Sequence, residues 1–147
     1  REIFENYVKE TFDLNDCIAV NNGTSALIAP LWSMDLKEGD EVITTPFTFI
    51  ATTNAIIIAG GKPVFVDINP NTLLNDADKI EEAITPKTKA IIPVHLYGRI
   101  CDMDKINSIA QKHNLPLDRG GPEGKKMIGE KGKNGVIFIS TKWKEKY

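Results

Sequence analysis

Cysteine is scarce. Cys17 and Cys101 are the two among 147 residues, and they form neither a CxxC pair nor a metal-ligand spacing. Nothing here supports a disulfide framework or a zinc site, and two unpaired thiols are the expectation. Long hydrophobic runs are also lacking. The longest, Ala55 to Ala59, falls far short of a bilayer span. Neither sign of charge dominates: 18 Lys and Arg face 20 Asp and Glu, a formal net charge of −2. That removes the electrostatic case for nucleic acid or an anionic membrane surface. There are no internal repeats and no low-complexity stretch. The first residues carry no signal-peptide pattern, so the cytoplasm is the expected compartment. They do carry a helical pattern, with Ile3, Phe4, Tyr7 and Val8 at helical spacing. Together with the absence of an initiator Met, this leads us to expect that something precedes Arg1.

What is present is ordinary for one globular α/β domain: 41% hydrophobic and 26% charged residues. Short β-branched runs alternate with helical patterns. Strands are predicted at 17–20, 41–45, 62–67, 90–94 and 136–139. Helices are predicted at 24–34, 49–59, 76–84 and 102–113. Ala77, Ile80 and Ile84 share one face of the third helix, and Met103, Ile106, Ile109 and Ala110 one face of the fourth. Strand runs apolar on both faces imply a sheet covered on both sides, and strand–helix alternation implies parallel βαβ units. The predicted fold is a three-layer αβα sandwich with a mostly parallel sheet. Ligands in such folds bind beyond the carboxyl ends of the strands, so the residues after each strand are the candidates.

After the first strand comes Asn21-Asn22-Gly23-Thr24-Ser25. A helix opening here offers free backbone N–H groups and the positive end of its dipole to an anion, and the two hydroxyls can add donors. The alternative is an ordinary N-cap at Thr24 or Ser25. After the second strand comes Pro46-Phe47-Thr48-Phe49, whose aromatics suit a planar cofactor or simple core packing. Asp67 and Asp118 follow strands and suit a protonated ring nitrogen, or a helix cap. His95, with no nucleophile pattern beside it, reads as structural, and His113 as a partner for a helix C-terminus. Lys142 follows the last strand. Desolvation there would favour its neutral amine and Schiff-base chemistry, whereas its neighbours Lys144 and Lys146 suggest a solvated lysine. A phosphate cradle, a stacking aromatic, an acid and an imine-forming lysine together are the parts that pyridoxal 5'-phosphate chemistry requires. Pro30 falls inside the predicted helix 24–34, where it removes a hydrogen bond and costs about 3 kcal/mol.

Five motifs in order carry a resemblance: NNGTSAL (21–27), GDEVITTPFTFIAT (39–52), GGKPVFVDI (60–68), ITPKTKAIIPVHLYG (84–98) and CDMDKI (101–106). They resemble the DegT/DnrJ/StrS family of sugar aminotransferases, which implies the large domain of the aspartate-aminotransferase-like fold. By that resemblance Gly23, Thr24 and Ser25 hold the cofactor phosphate and Phe49 stacks on the pyridine ring. Lys142 forms the Schiff base and Asp118 pairs with the ring nitrogen. Related sugar dehydratases carry His in place of that lysine, so Lys142 favours transamination. The resemblance also implies a nucleotide-linked keto sugar, glutamate as amino donor and a homodimer. Beyond Lys112 the family pattern degrades: the family's acid–Gln–His segment is replaced by Leu115-Pro116-Leu117-Asp118-Arg119-Gly120-Gly121. The chain is therefore expected to be a partial large domain without the small domain. The competing expectation is a shortened, non-catalytic homologue that at most associates through an exposed sheet edge.

Overall fold

The computed structural model describes residues 1–12 and 16–115, and strand 136–140 as backbone. Its elements are α1 (Glu2–Phe12), β1 (Asp16–Val20), α2 (Gly23–Ser33), β2 (Glu41–Thr44), α3 (Ala51–Ile58) and β3 (Lys62–Phe65). There follow α4 (Ala77–Glu82), β4 (Thr88–Ile91), a single 3-10 turn (Leu96–Gly98), α5 (Met103–Lys112) and β5 (Val136–Ser140). Every strand pair is parallel: β1 with β5, and β2 with β3 on one side and β4 on the other.

The order β3-β2-β4 fixes the layers. The chain steps from β2 to β3 in one direction, then from β3 back across β2 to β4. Parallel crossovers are right-handed, so reversing direction sends α3 and α4 to opposite faces. Burial confirms this. Val42, Ala90 and Ile92 pack with Leu31 of α2 and with Ala55 and Ile56 of α3. Ile43 and Ile91, the intervening positions on the same strands, pack with Ile80 of α4 and with Ile106 and Ile109 of α5. Adjacent strand residues feed different cores because side chains alternate across a sheet. The three-layer parallel architecture expected from the sequence is the observed one.

The boundaries differ in instructive places. β4 starts at Thr88 rather than Ala90 and ends at Ile91 rather than Val94. Thr88 is buried and pairs with Glu41, which outweighs its polar character. At the other end Ile92 N–H still donates to Ile43 O at 2.8 Å, but Pro93 has no N–H to continue the ladder. β3 closes at Phe65, leaving Asp67 in the following loop. Pro63 is tolerated within β3 because that strand lies at the sheet edge. α1 has its helical spacing but not the expected buried stripe: Val8 is buried, whereas Ile3, Phe4 and Tyr7 are exposed. What pins α1 is polar, since Glu5 Oε1 accepts from Ala19 N of β1 at 2.8 Å.

α3 stops where glycine permits it. Gly60 has φ +90°, and Gly61 N–H donates back to Ile56 O at 3.0 Å, which satisfies a carbonyl of the last turn. α2, in contrast, runs straight through Pro30. The helix expected over 24–34 is observed despite that cost: it continues to Ser33, with Ser33 Oγ donating to Pro30 O at 2.6 Å. Leu27, Ile28 and Leu31 pack against the sheet on either side of the proline, and that burial holds the helix together.

Candidate cofactor and substrate site

The amino end of α2 follows directly from β1 and so lies at the carboxyl end of that strand. Its cap is Asn22, and not Thr24 or Ser25, the alternative that the sequence offered for those hydroxyls. Asn22 is extended (φ −162°, ψ 168°), and its Oδ1 accepts from Ser25 N at 2.8 Å. A short polar side chain in extended conformation, three residues ahead of a donor, is the N-cap geometry. Ala26 N–H is taken by Asn22 O at 3.1 Å. Among the described residues no hydrogen bond uses the N–H of Gly23 or Thr24, nor the Thr24 hydroxyl. Ser25 Oγ donates to Asn21 Oδ1 at 2.9 Å. A Cβ built on Gly23 would meet no described atom within 4 Å, so the described residues leave room beside Gly23. The first turn contains no acidic residue. Two unclaimed backbone donors, a hydroxyl, a helix dipole and no competing carboxylate fit a phosphate group.

Phe49 stands on the loop between β2 and α3, the next element pair along. It is 76% exposed, and Phe47 is 43% exposed. Neither ring belongs to the core formed by the described residues. The loop beneath them is fixed by polar contacts: Phe47 N–H donates to the buried Thr45 hydroxyl at 3.2 Å, and the Thr48 and Thr52 hydroxyls lie 3.3 Å apart. α2 and α3 share one core. The fold thus sets the Gly23–Ser25 turn after β1 and Phe49 after β2, each at the carboxyl end of a strand and each leading into one of two helices that pack together. Asp118 and Lys142 lie outside the described residues.

The remaining candidates resolve into structural roles. Asp67 bonds Ile68 N–H at 2.9 Å and stands 3.5 Å from Lys79 Nζ on the surface. His95 Nδ1 accepts from Cys101 N at 3.2 Å, the structural role expected of it. His113 caps the carboxyl end of α5, with Nε2 3.7 Å from Glu81. Cys101 is buried and donates to Val94 O at 3.3 Å, and burial pushes its thiol up and away from reactivity. Cys17 is buried too. Among the described residues no cluster of His, Cys, Asp and Glu could hold a metal ion. No helix among them is long and apolar enough to cross a membrane.

Sequence reasoning missed two residues. One is Asn22, overlooked because the hydroxyls beside it were the more obvious capping signal. The other is Asn75, 4% exposed, whose Oδ1 accepts from Val94 N at 2.9 Å. Asn75 ties the loop after β3 to the segment after β4, and no local pattern announces such a link.

Comparison with known proteins places the chain in a family. The family model described as the DegT/DnrJ/EryC1/StrS aminotransferase family matches residues 1–119. GDP-perosamine synthase of Caulobacter vibrioides is 49% identical over 112 residues, 76% of this chain and 30% of that protein. The 3-oxo-glucose-6-phosphate:glutamate aminotransferase of Bacillus subtilis is 45% identical over 123 residues, 84% of this chain and 28% of that protein. Among solved structures, ntda from Bacillus subtilis with bound cofactor pmp superposes with a TM-score of 0.75 at 46% identity. That match covers 79% of this chain and 27% of the other. The chain therefore spans less than a third of the length of these relatives.

Proposed function

Because the chain belongs to the DegT/DnrJ/EryC1/StrS aminotransferase family, we propose that it is part of the large domain of a pyridoxal 5'-phosphate-dependent sugar aminotransferase. It moves an amino group from glutamate to a keto sugar, with a nucleotide-linked sugar as the substrate class. The observation that carries this reading is the pair of unclaimed donors at Gly23 and Thr24 after β1, together with an exposed Phe49 after β2. The relatives support an oxo sugar as acceptor, and the printed name of the Bacillus subtilis enzyme includes glutamate. That same enzyme acts on a sugar phosphate, so a nucleotide is the finer part of the proposal.

Each residue then has a defined task. The N–H groups of Gly23 and Thr24, with the Thr24 and Ser25 hydroxyls, hold the cofactor phosphate. Phe49 offers its flat face to the pyridine ring and, with Phe47, keeps water from it. Asp118 holds the proton on the ring nitrogen. The Lys142 amine takes the proton from the α-carbon of the donor. When bound, the cofactor supplies an electron sink and carries the amino group between the two half-reactions. The working protein is a cytoplasmic homodimer in this reading.

The test is a visible spectrum of the purified protein with added pyridoxal 5'-phosphate, before and after borohydride, for wild type and Lys142→Ala. The reading expects a yellow band that borohydride fixes to the chain and that Lys142→Ala lacks. No specific band in wild type would favour the non-catalytic alternative.

A further inference from the structure

β2 and β4 are neighbours, yet the chain leaves them in opposite directions. After β2 it passes to α3 on one face, and after β4 to α5 on the other. Loops that diverge from adjacent parallel strands leave a crevice between them, where ligands of open α/β sheets bind. The loop carrying Phe49 follows β2 and the segment from Val94 to Cys101 follows β4, so the two flank that position.

The second of these segments is firmly anchored. Val94 N–H donates to the buried Asn75 Oδ1 at 2.9 Å. Cys101 donates twice, from Sγ to Val94 O at 3.3 Å and from N–H to His95 Nδ1 at 3.2 Å. Arg99 N–H returns to Leu96 O at 3.0 Å, and its guanidinium reaches Thr72 O at 3.4 Å. Between these anchors Tyr97 adopts a left-handed backbone (φ 53°, ψ 37°), followed by Gly98 at φ +74°. A bulky residue in that region is an outlier. Tyr97 is 82% exposed, so among the described residues no packing of its ring explains the strain. The segment is built to present the ring outward, and such strain collects where a ligand is gripped.

We infer that Tyr97 is a specificity-determining residue that contacts the hexose ring of the substrate across the crevice from Phe49, an inference that rests on the aminotransferase reading. The chemistry matches. A hexose in its chair presents a face of C–H groups and a rim of hydroxyls. A tyrosine offers an apolar ring face to the first and a phenol O–H, both donor and acceptor, to the second. Phe49, lacking a polar handle, suits the aromatic cofactor.

The experiment uses the chain loaded with pyridoxal 5'-phosphate and titrates dTDP-glucose, GDP-mannose and UDP-N-acetylglucosamine, each against its bare nucleoside diphosphate, by calorimetry. Wild type should bind at least one of the sugar conjugates about tenfold more tightly than the matching diphosphate. Tyr97→Ala should erase that margin, Tyr97→Phe should keep part of it, and the cofactor band should be unchanged in both. Tyr97→Gly removes the ring while relieving the backbone, and serves should Tyr97→Ala fold poorly. A sugar margin that survives removal of the ring, or no margin in cofactor-loaded wild type, would overturn the inference and leave the aminotransferase reading standing. Absence of the cofactor band in wild type would instead sink the reading on which it rests. A ring needed only for self-association would appear as a change in sedimentation with the margin intact, which also overturns it.

Discussion

Asn22 Oδ1 accepts the backbone N–H of Ser25 at 2.8 Å, and this bond decides which donors of α2 stay available. With Ser25 N–H satisfied, the open pair is Gly23 and Thr24. Asn22→Ala should lower stability by about 1 kcal/mol, read as a shift in urea midpoint. Asn22→Asp keeps the cap but sets a negative charge beside the phosphate turn. It should keep near wild-type stability and weaken pyridoxal 5'-phosphate binding in a spectroscopic titration. Unchanged cofactor affinity in Asn22→Asp would remove the turn from the cofactor site.

Glu41 links three elements at the amino end of β2: Thr85 Oγ1 donates to it at 2.6 Å and Lys62 Nζ at 3.1 Å. The Thr85 hydroxyl first, and then Lys62, hold its carboxyl below the usual carboxylate value. A depressed carboxyl contributes stability that is fully present above its unfolded-state value and is lost as pH falls through the folded-state value. Thr85→Val should therefore move the acid limb of the melting-temperature profile toward higher pH, while stability at neutral pH falls less than with Glu41→Ala. A superimposable acid limb would show that Glu41 does not govern it. Glu5, held down by Ala19 N–H and then Arg1, titrates in the same direction, so the comparison is best made in a Glu5→Gln background.

Pro30 leaves the Ala26 carbonyl without its helical donor, yet α2 persists. Pro30→Ala restores that bond. The gain should be about 2 kcal/mol: roughly 3 kcal/mol of helix cost, less the unfolded-state entropy that proline withholds. Chemical denaturation would read it directly. A loss of stability would mean that the proline ring contributes more through packing than it costs the helix.

The strands and helices were legible because their signals are local. Alternation of β-branched runs with helical periodicity marks each element within a few residues, and the apolar faces of α4 and α5 are those the spacing indicates. The opening of α2 was legible for the same reason, since a Gly-Thr-Ser after a strand starts a helix. Its cap was not legible, because Asn22, Thr24 and Ser25 all compete for that role in sequence. The choice depends on which one is extended.

The sequence by itself determined that this chain builds parallel βαβ units, and its five ordered motifs matched it to an aminotransferase family. Those are properties of neighbouring residues and of their order. The tertiary structure alone decided that β4 returns across β2 to lie on the side away from β3, because strand order depends on which edges pair over long separations. It decided that Glu41 meets Thr85 and that Asn75 meets Val94, contacts between segments that share no local pattern. It also decided that Tyr97 stands outward from an anchored loop, since exposure is set by what the rest of the chain packs around a residue and not by the residue itself.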